Sequence, residues 1–236
     1  MRNRKEFKED LRNALESHNS LVHPVVRELT KPVPNWPLMR AVGLQALQLT
    51  KNFIDYIGAL YYHCPLENFR TRLVVNLYEE ETGKLSNTKN HLRLMEDFVK
   101  ALGVSPEEIK STKPYPETEE LIQYRKKLVH DPKSFHMGAA AVMIASEGQS
   151  LEELAGDSRH ELFPSVYGLT EKDVLFFSVH AEEDVGHVNE GLALVSQVCK
   201  TEEMQRESIQ AVHHTCDLFW KFFDGIAIRH NVPLVA

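Results

Sequence analysis

The chain has 236 residues, of which 42% are hydrophobic and 26% charged, the balance of an ordinary folded protein and not of a collagen-like, low-complexity or disordered one. Asp and Glu outnumber Lys and Arg by 34 to 27, a net charge of −7 without like-charge blocks, so neither nucleic acid nor an anionic membrane is expected as a partner.

Taken in chain order, the apolar residues repeat at three and four positions, the helical period. The charged, amphipathic opening predicts a helix over 4–18 and has no apolar run of the signal-peptide kind. His23-Pro24 and the proline-rich stretch 30–37 predict a loop. Leu38, Val42, Ala46, Leu49, Phe53, Tyr56 and Leu60 form one stripe and predict a long helix over 38–62. Pro65 restarts the chain as a helix through Leu73 and Leu77 to about Glu81, a break follows at 83–87, and the period resumes over 91–102. Gly103 then reads as a cap, and Ser105-Pro106-Glu107-Glu108 as the next helix start. Beyond a loop at 113–116, helices are predicted over 117–129, 133–149, 170–199 and 202–228. Hairpin signals, internal repeats and linkers are absent, so the expectation is one all-α domain over 1–236 with about seven long helices. No window approaches the roughly 18 apolar residues of a membrane span. Cys64, Cys199 and Cys216, odd in number and far apart, imply a reducing cytoplasm rather than a disulfide framework.

Among twelve histidines, most lie in polar or terminal contexts where a surface or hydrogen-bonded role suffices. His180, Asp184 and His187 differ, because spacing of i, i+4 and i+7 puts them on one helix face. Two imidazoles and a carboxylate there suit a divalent first-row metal such as iron. The competing reading is an exposed face of mixed acids and histidines, but Val185, Val188, Leu192 and Leu194 surround these positions with apolar residues. In the run Glu79-Glu80-Glu81, Glu80 continues the inward stripe of Leu73 and Leu77, whereas Glu79 and Glu81 are expected to point elsewhere. A solvated helix end is the plainer account of that run. Glu147 follows the apolar, small-residue stretch 137–146, and a carboxylate buried there needs a cation or a donor. His91, beside Leu92 and Leu94, adds a nitrogen. Together Glu80, His91, Glu147, His180, Asp184 and His187 make three carboxylates and three imidazoles, an inventory that helical bundles use for carboxylate-bridged di-iron, although the paired Glu-x-x-His motif is missing. The small residues 138–141 and Ala145 leave room for a substrate, or allow close helix packing.

At EEETG (79–83), DFVKALGVSPEEI (97–109), SEGQ (146–149) and HAEEDVGH (180–187), the last the most specific, the sequence resembles the haem-oxygenase-like di-metal oxidases. Their superfamily also holds thiaminase-II and pyrroloquinoline-quinone synthase. The resemblance runs over about 18–200 and is nearest to the branch of the Chlamydia protein associating with death domains and its bacterial relatives. It implies a seven-helix haem-oxygenase-like bundle and a homodimer. It also implies two Fe(II), or manganese, held by Glu80, His91, Glu147, His180, Asp184 and His187, with O₂ as co-substrate and an external reductant as a possible partner. Glu147 or Asp184 is the ligand expected to shift during oxidation. Two positions depart from the relatives that make 4-aminobenzoate from their own side chain: Val26 and Ser146 stand where those carry tyrosine.

The rival readings each lack something. A thiaminase needs a cysteine on the 133–149 helix, which has none. A metal-free quinone-synthase-like oxidase favours His and Arg over carboxylates. A haem oxygenase has His18 or His23 to offer but no glycine-rich distal helix. A vestigial binding protein has no need of six buried ligands. The expected function is therefore an O₂-dependent, non-haem di-iron oxidase or oxygenase. It would act on a small, amino-acid-derived metabolite of a biosynthetic pathway, approaching from the Ser146 side.

Overall fold

The computed structural model describes residues 1–151 and 158–234. Among the described residues there are twelve α-helical segments and no strand, so the all-α class holds but the count of seven does not. Helix α1 (Arg4–Glu16) starts at Asn3, whose side chain accepts from the Lys5 and Glu6 amides while Glu6 reaches back to the Asn3 amide. Helix α2 (Pro24–Leu29) forms inside the predicted loop, because His23 Nδ1 accepts from the Val25 amide and Pro24 occupies the first helical position. The helix predicted over 38–62 is two, α3 (Trp36–Thr50) and α4 (Phe53–His63). The side chains of Gln48, Thr50 and Asn52 bond back to the carbonyls of Leu44, Ala46 and Gln48, and such local competition breaks the ladder at Lys51-Asn52.

Helix α5 (Glu67–Thr82) ends at Gly83, which takes the left-handed conformation at φ 61°. Asn90 caps α6 (His91–Ala101), Ser105 caps α7 (Pro106–Ser111), and α8 (Pro116–His130) follows. The predicted 133–149 helix is a short α9 (Phe135–Ala139), a π-helical stretch (Ala140–Ser146) and a 3₁₀ turn (Glu147–Ser150). Helix α10 (Arg159–Tyr167) occupies a stretch with no predicted element. Helix α11 (Leu175–Val198) starts later than expected, since Asp173 ties back to Thr170, and α12 (Glu202–His230) is the longest, at about 43 Å.

Two apolar cores result. One gathers α1, α4, α5, the π stretch and the C-terminal half of α11 around Phe7, Leu73, Ile144 and Leu194. The other gathers α2, α3, α6 and α10 around Leu38, Phe98 and Phe163. Helix α12 lines both, through Val212 and Cys216 in the first and Leu218 and Phe222 in the second. Where the cores meet, α5, α6, α11 and the π stretch come together. No helix among the described residues is long and apolar enough to cross a membrane.

Candidate metal centre

All six predicted side chains converge at that junction, in two groups of three. Ligand atoms of Glu80, His91 and His180 lie within 4.8 Å of one another, and so do those of Glu147, Asp184 and His187. The face of α11 thus serves both groups: His180 joins one, and Asp184 and His187, about one and two turns on, join the other. The groups adjoin, because the charge of Glu80 reaches Glu147 and His187, and that of Asp184 reaches His180.

Glu147 is delivered by the π stretch. Its amide bonds the Val142 carbonyl five residues back, an extra residue in the turn that rotates the positions after it by about 100° relative to a regular α-helix. Small residues allow the π stretch to press against α11: a Cβ on Gly191 would stand 2.6 Å from the Met143 carbonyl oxygen.

The donor atoms are poorly satisfied by protein alone. Both Asp184 oxygens, Glu147 Oε1, His187 Nδ1 and both His91 nitrogens are buried without a hydrogen-bond partner. His91 Nδ1 is 3.0 Å from Glu80 Oε1 but out of line for a bond, and His187 Nδ1 is 3.5 Å from Glu147 and 3.6 Å from Asp184. Each such orphan costs about 1–3 kcal/mol, more where charged, unless something meets it. A mixed N/O set of this kind fits divalent iron or manganese.

Electrostatics tell the same story. Burial pushes the Glu147 carboxyl well above its ordinary range, only partly opposed by His187. Burial pulls His187 down, but Glu147 and Asp184 outweigh it and hold the imidazole up to about 10. Without metal, protons stay in this cluster. His180 behaves differently: burial lowers its pKa, and its Nδ1–H donates to the Phe176 carbonyl at 2.6 Å. That bond fixes the tautomer and leaves Nε2 as the free ligand atom.

Three neighbours escaped the sequence reading. Glu79 does not point away; it is 3% exposed and accepts from the Leu85 and Ser86 amides and the Ser86 hydroxyl, with Oε1 3.6 Å from His91 Nε2. It ties down the 83–90 loop and backs the His91 ring. Glu183 Oε2 stands 4.0 Å from the same nitrogen, so Glu79, His91 and Glu183 form a third, overlapping group. Asn76, buried one turn before Glu80, lies close enough to influence the Glu147 carboxyl, while both of its amide atoms lack a hydrogen-bond partner. Its place on the α5 stripe four residues before Glu80 was a usable signal.

A cavity of about 190 Å³ opens beside the centre, with Glu80, Glu147 and His180 in its wall. Most of the remaining wall is apolar, including Phe98, Phe163, Phe176 and Phe177, and both Val26 and Ser146 face it. None of the three cysteines lines it, and burial pushes Cys199 up to about 11 and Cys216 up to about 12, so no thiolate stands ready.

Comparison with known proteins finds relatives over nearly the whole chain. Over 97% of its length the chain is 29% identical to a 4-aminobenzoate synthase of Nitrosomonas europaea, covering 94% of that protein. A 4-aminobenzoate synthase of Chlamydia muridarum is 26% identical over 90% of the chain and 89% of its own length. Among solved structures, a TenA homologue from Pseudomonas syringae superposes with a TM-score of 0.74 at 17% identity, over 95% of this chain and 92% of that one. A protein with a haem-oxygenase-like fold from Shewanella denitrificans gives 0.74 at 16% identity, over 98% and 94%. At these identities the structures speak for the fold. Residues 40–220, carrying all six centre residues, match the model of the iron-containing redox enzymes, and the chain belongs to that family.

Proposed function

We propose that this chain is an O₂-dependent, non-haem di-iron oxidase or oxygenase that acts on a small, diffusible, amino-acid-derived metabolite. The observation that carries the reading is the pair of adjoining three-residue groups with orphaned buried donors, in a chain of the iron-containing redox family. Glu80, His91 and His180 would hold one iron and Glu147, Asp184 and His187 the other, with manganese as an alternative in the same sites. Bound there, two ferrous ions supply the electrons for O₂ activation. The chain's own contribution is positional. The Phe176 carbonyl fixes the His180 tautomer, Glu79 backs His91, and the phenylalanine-lined wall gives the reacting groups largely apolar surroundings. Glu147 or Asp184, whose buried oxygens lack hydrogen-bond partners, would be the carboxylate freest to change its coordination.

The relatives' names favour a second reading, a 4-aminobenzoate synthase, which by the family resemblance would draw its product from its own side chain. Against it stand Val26 and Ser146 at the cavity wall and the absence of any tyrosine from that wall among the described residues. Anaerobic titration of metal-free protein with Fe(II), followed by O₂, separates the readings. Two equivalents bound, O₂ consumed and an unchanged intact mass support the oxidase. Failure to bind iron with the fold intact sinks both readings. Release of 4-aminobenzoate with loss of mass from the chain establishes the second.

A further inference from the structure

Arg125, on α8, is the largest fully buried side chain of the described residues, at 2% exposure, and it belongs to the cavity wall. Its guanidinium carbon lies over the rings of Tyr56 at 4.8 Å and Phe219 at 5.5 Å, so part of its surroundings is aromatic and offers no counter-charge. Of five N–H donors, one goes to the Leu121 carbonyl and one to the Ser146 hydroxyl at 3.1 Å; the neutral Tyr56 hydroxyl is the other polar side chain within reach, and Nη2 is buried without a hydrogen-bond partner. The Ser146 hydroxyl in turn donates to the Ala141 carbonyl, so it accepts from Arg125 and carries no charge to offset it. Tyr56 is kept neutral by burial. No carboxylate of the described residues forms an ion pair with Arg125, although Glu80 and Glu147 share its cavity. A buried cation without a counter-ion is costly to maintain. Arg159, the other cation of the wall, is only half-buried.

We propose that Arg125 is the anion-binding group of the cavity and that the molecule bound there carries a carboxylate. Its two oxygens pair with the free in-plane donors of the guanidinium, the planar fork that matches a carboxylate. Ser146, which orients the fork, immediately precedes Glu147, so the anchored end lies on the wall that also presents a ligand of the metal centre. The apolar body packs along Phe163, Phe176 and Phe177. This deepens the oxidase reading by naming the substrate class of its cavity, while the anion site stands on the geometry of Arg125 itself.

The test uses octanoate and 1-octanol, equal in chain length and different in charge, titrated calorimetrically into anaerobic, iron-loaded protein. Octanoate is expected to bind roughly 10- to 100-fold more tightly than octanol, the strength of a charge-assisted hydrogen bond in a buried site. In R125M that preference falls to within about threefold of parity, and R125K retains an intermediate preference. A merely structural arginine would weaken both probes equally and leave their ratio unchanged. No preference in the wild type, or a preference that survives in R125M because the carboxylate sits on iron, overturns the proposal. Iron stoichiometry measured on the same samples keeps the two ideas separate. Arg125-dependent selectivity without iron binding would sink the oxidase and leave the anion site standing; two irons without that selectivity would do the reverse.

Discussion

In the metal-free protein His187 holds its proton up to about pH 10, because Glu147 and Asp184 outweigh the effect of burial. A metal ion must displace that proton before it can use the nitrogen. Fe(II) or Mn(II) binding at pH 7.5 should therefore release at least one proton, and affinity should strengthen as pH rises from 6 to 8. Calorimetry in buffers of different ionisation enthalpy measures the release, which should drop by about one proton in His187→Gln. At His23 the sign is opposite. Burial lowers its pKa despite Asp224, with Nε2–H donating to Asp224 at 3.2 Å and Nδ1 capping α2. A lowered imidazole pKa contributes stability above the unfolded value of about 6.5 that is lost as pH falls through the folded value. From pH 7.5 to 5 the wild type should lose more unfolding free energy than His23→Asn, whose amide caps without titrating. An equal loss in urea titrations would remove the His23 account.

At the scale of elements, two glycines set where the candidate ligands stand. Gly191 lets α11 lie against the π stretch, and a methyl group there would meet the Met143 carbonyl. Gly191→Ala should cost about 1–3 kcal/mol in urea unfolding, the range of overpacking, and weaken metal binding by separating His187 from Glu147. Gly83 ends α5 at φ 61°, and a Cβ there would stand 2.1 Å from the Lys89 carbonyl oxygen. Gly83→Ala should force the 83–90 loop to move and carry His91 away from Glu80. Its expected signature is loss of about one of two equivalents of iron, with the Glu147, Asp184 and His187 group still filled. Retention of both would show that His91 is not held by this loop. Glu79 belongs to the same device, since its carboxylate, held low because the Ser86 and Leu85 bonds outweigh burial, ties the loop to α5.

For the whole molecule, the junction of the two cores concentrates buried carboxylates and imidazoles whose desolvation is costly and only partly offset by their mutual attraction. Ligand binding to the folded state alone stabilises by mass action, about 2.7 kcal/mol for each site at a free metal concentration 100 times Kd. The melting temperature should accordingly rise with Fe(II) or Mn(II), and His180→Ala should remove a large part of that rise. An equal rise in wild type and variant would place the stabilising metal elsewhere.

The helical class and the identity of the converging side chains were legible in the chain itself. Both depend on short-range spacing: stripes at three and four residues, His180, Asp184 and His187 at helical intervals, and a carboxylate, Glu147, at the end of an apolar run. Local competition was harder to read. Gln48, Thr50 and Asn52 divide one predicted helix, and His23 builds α2 inside a predicted loop. Tertiary structure alone decided the division of six residues into two groups, the inward turn of Glu79 and the isolation of Arg125. Each of these depends on what lies across the interior from a side chain, such as Ser146 opposite Arg125 or Glu147 opposite His187. Periodicity determines which face of a helix turns inward; only packing determines what that face meets.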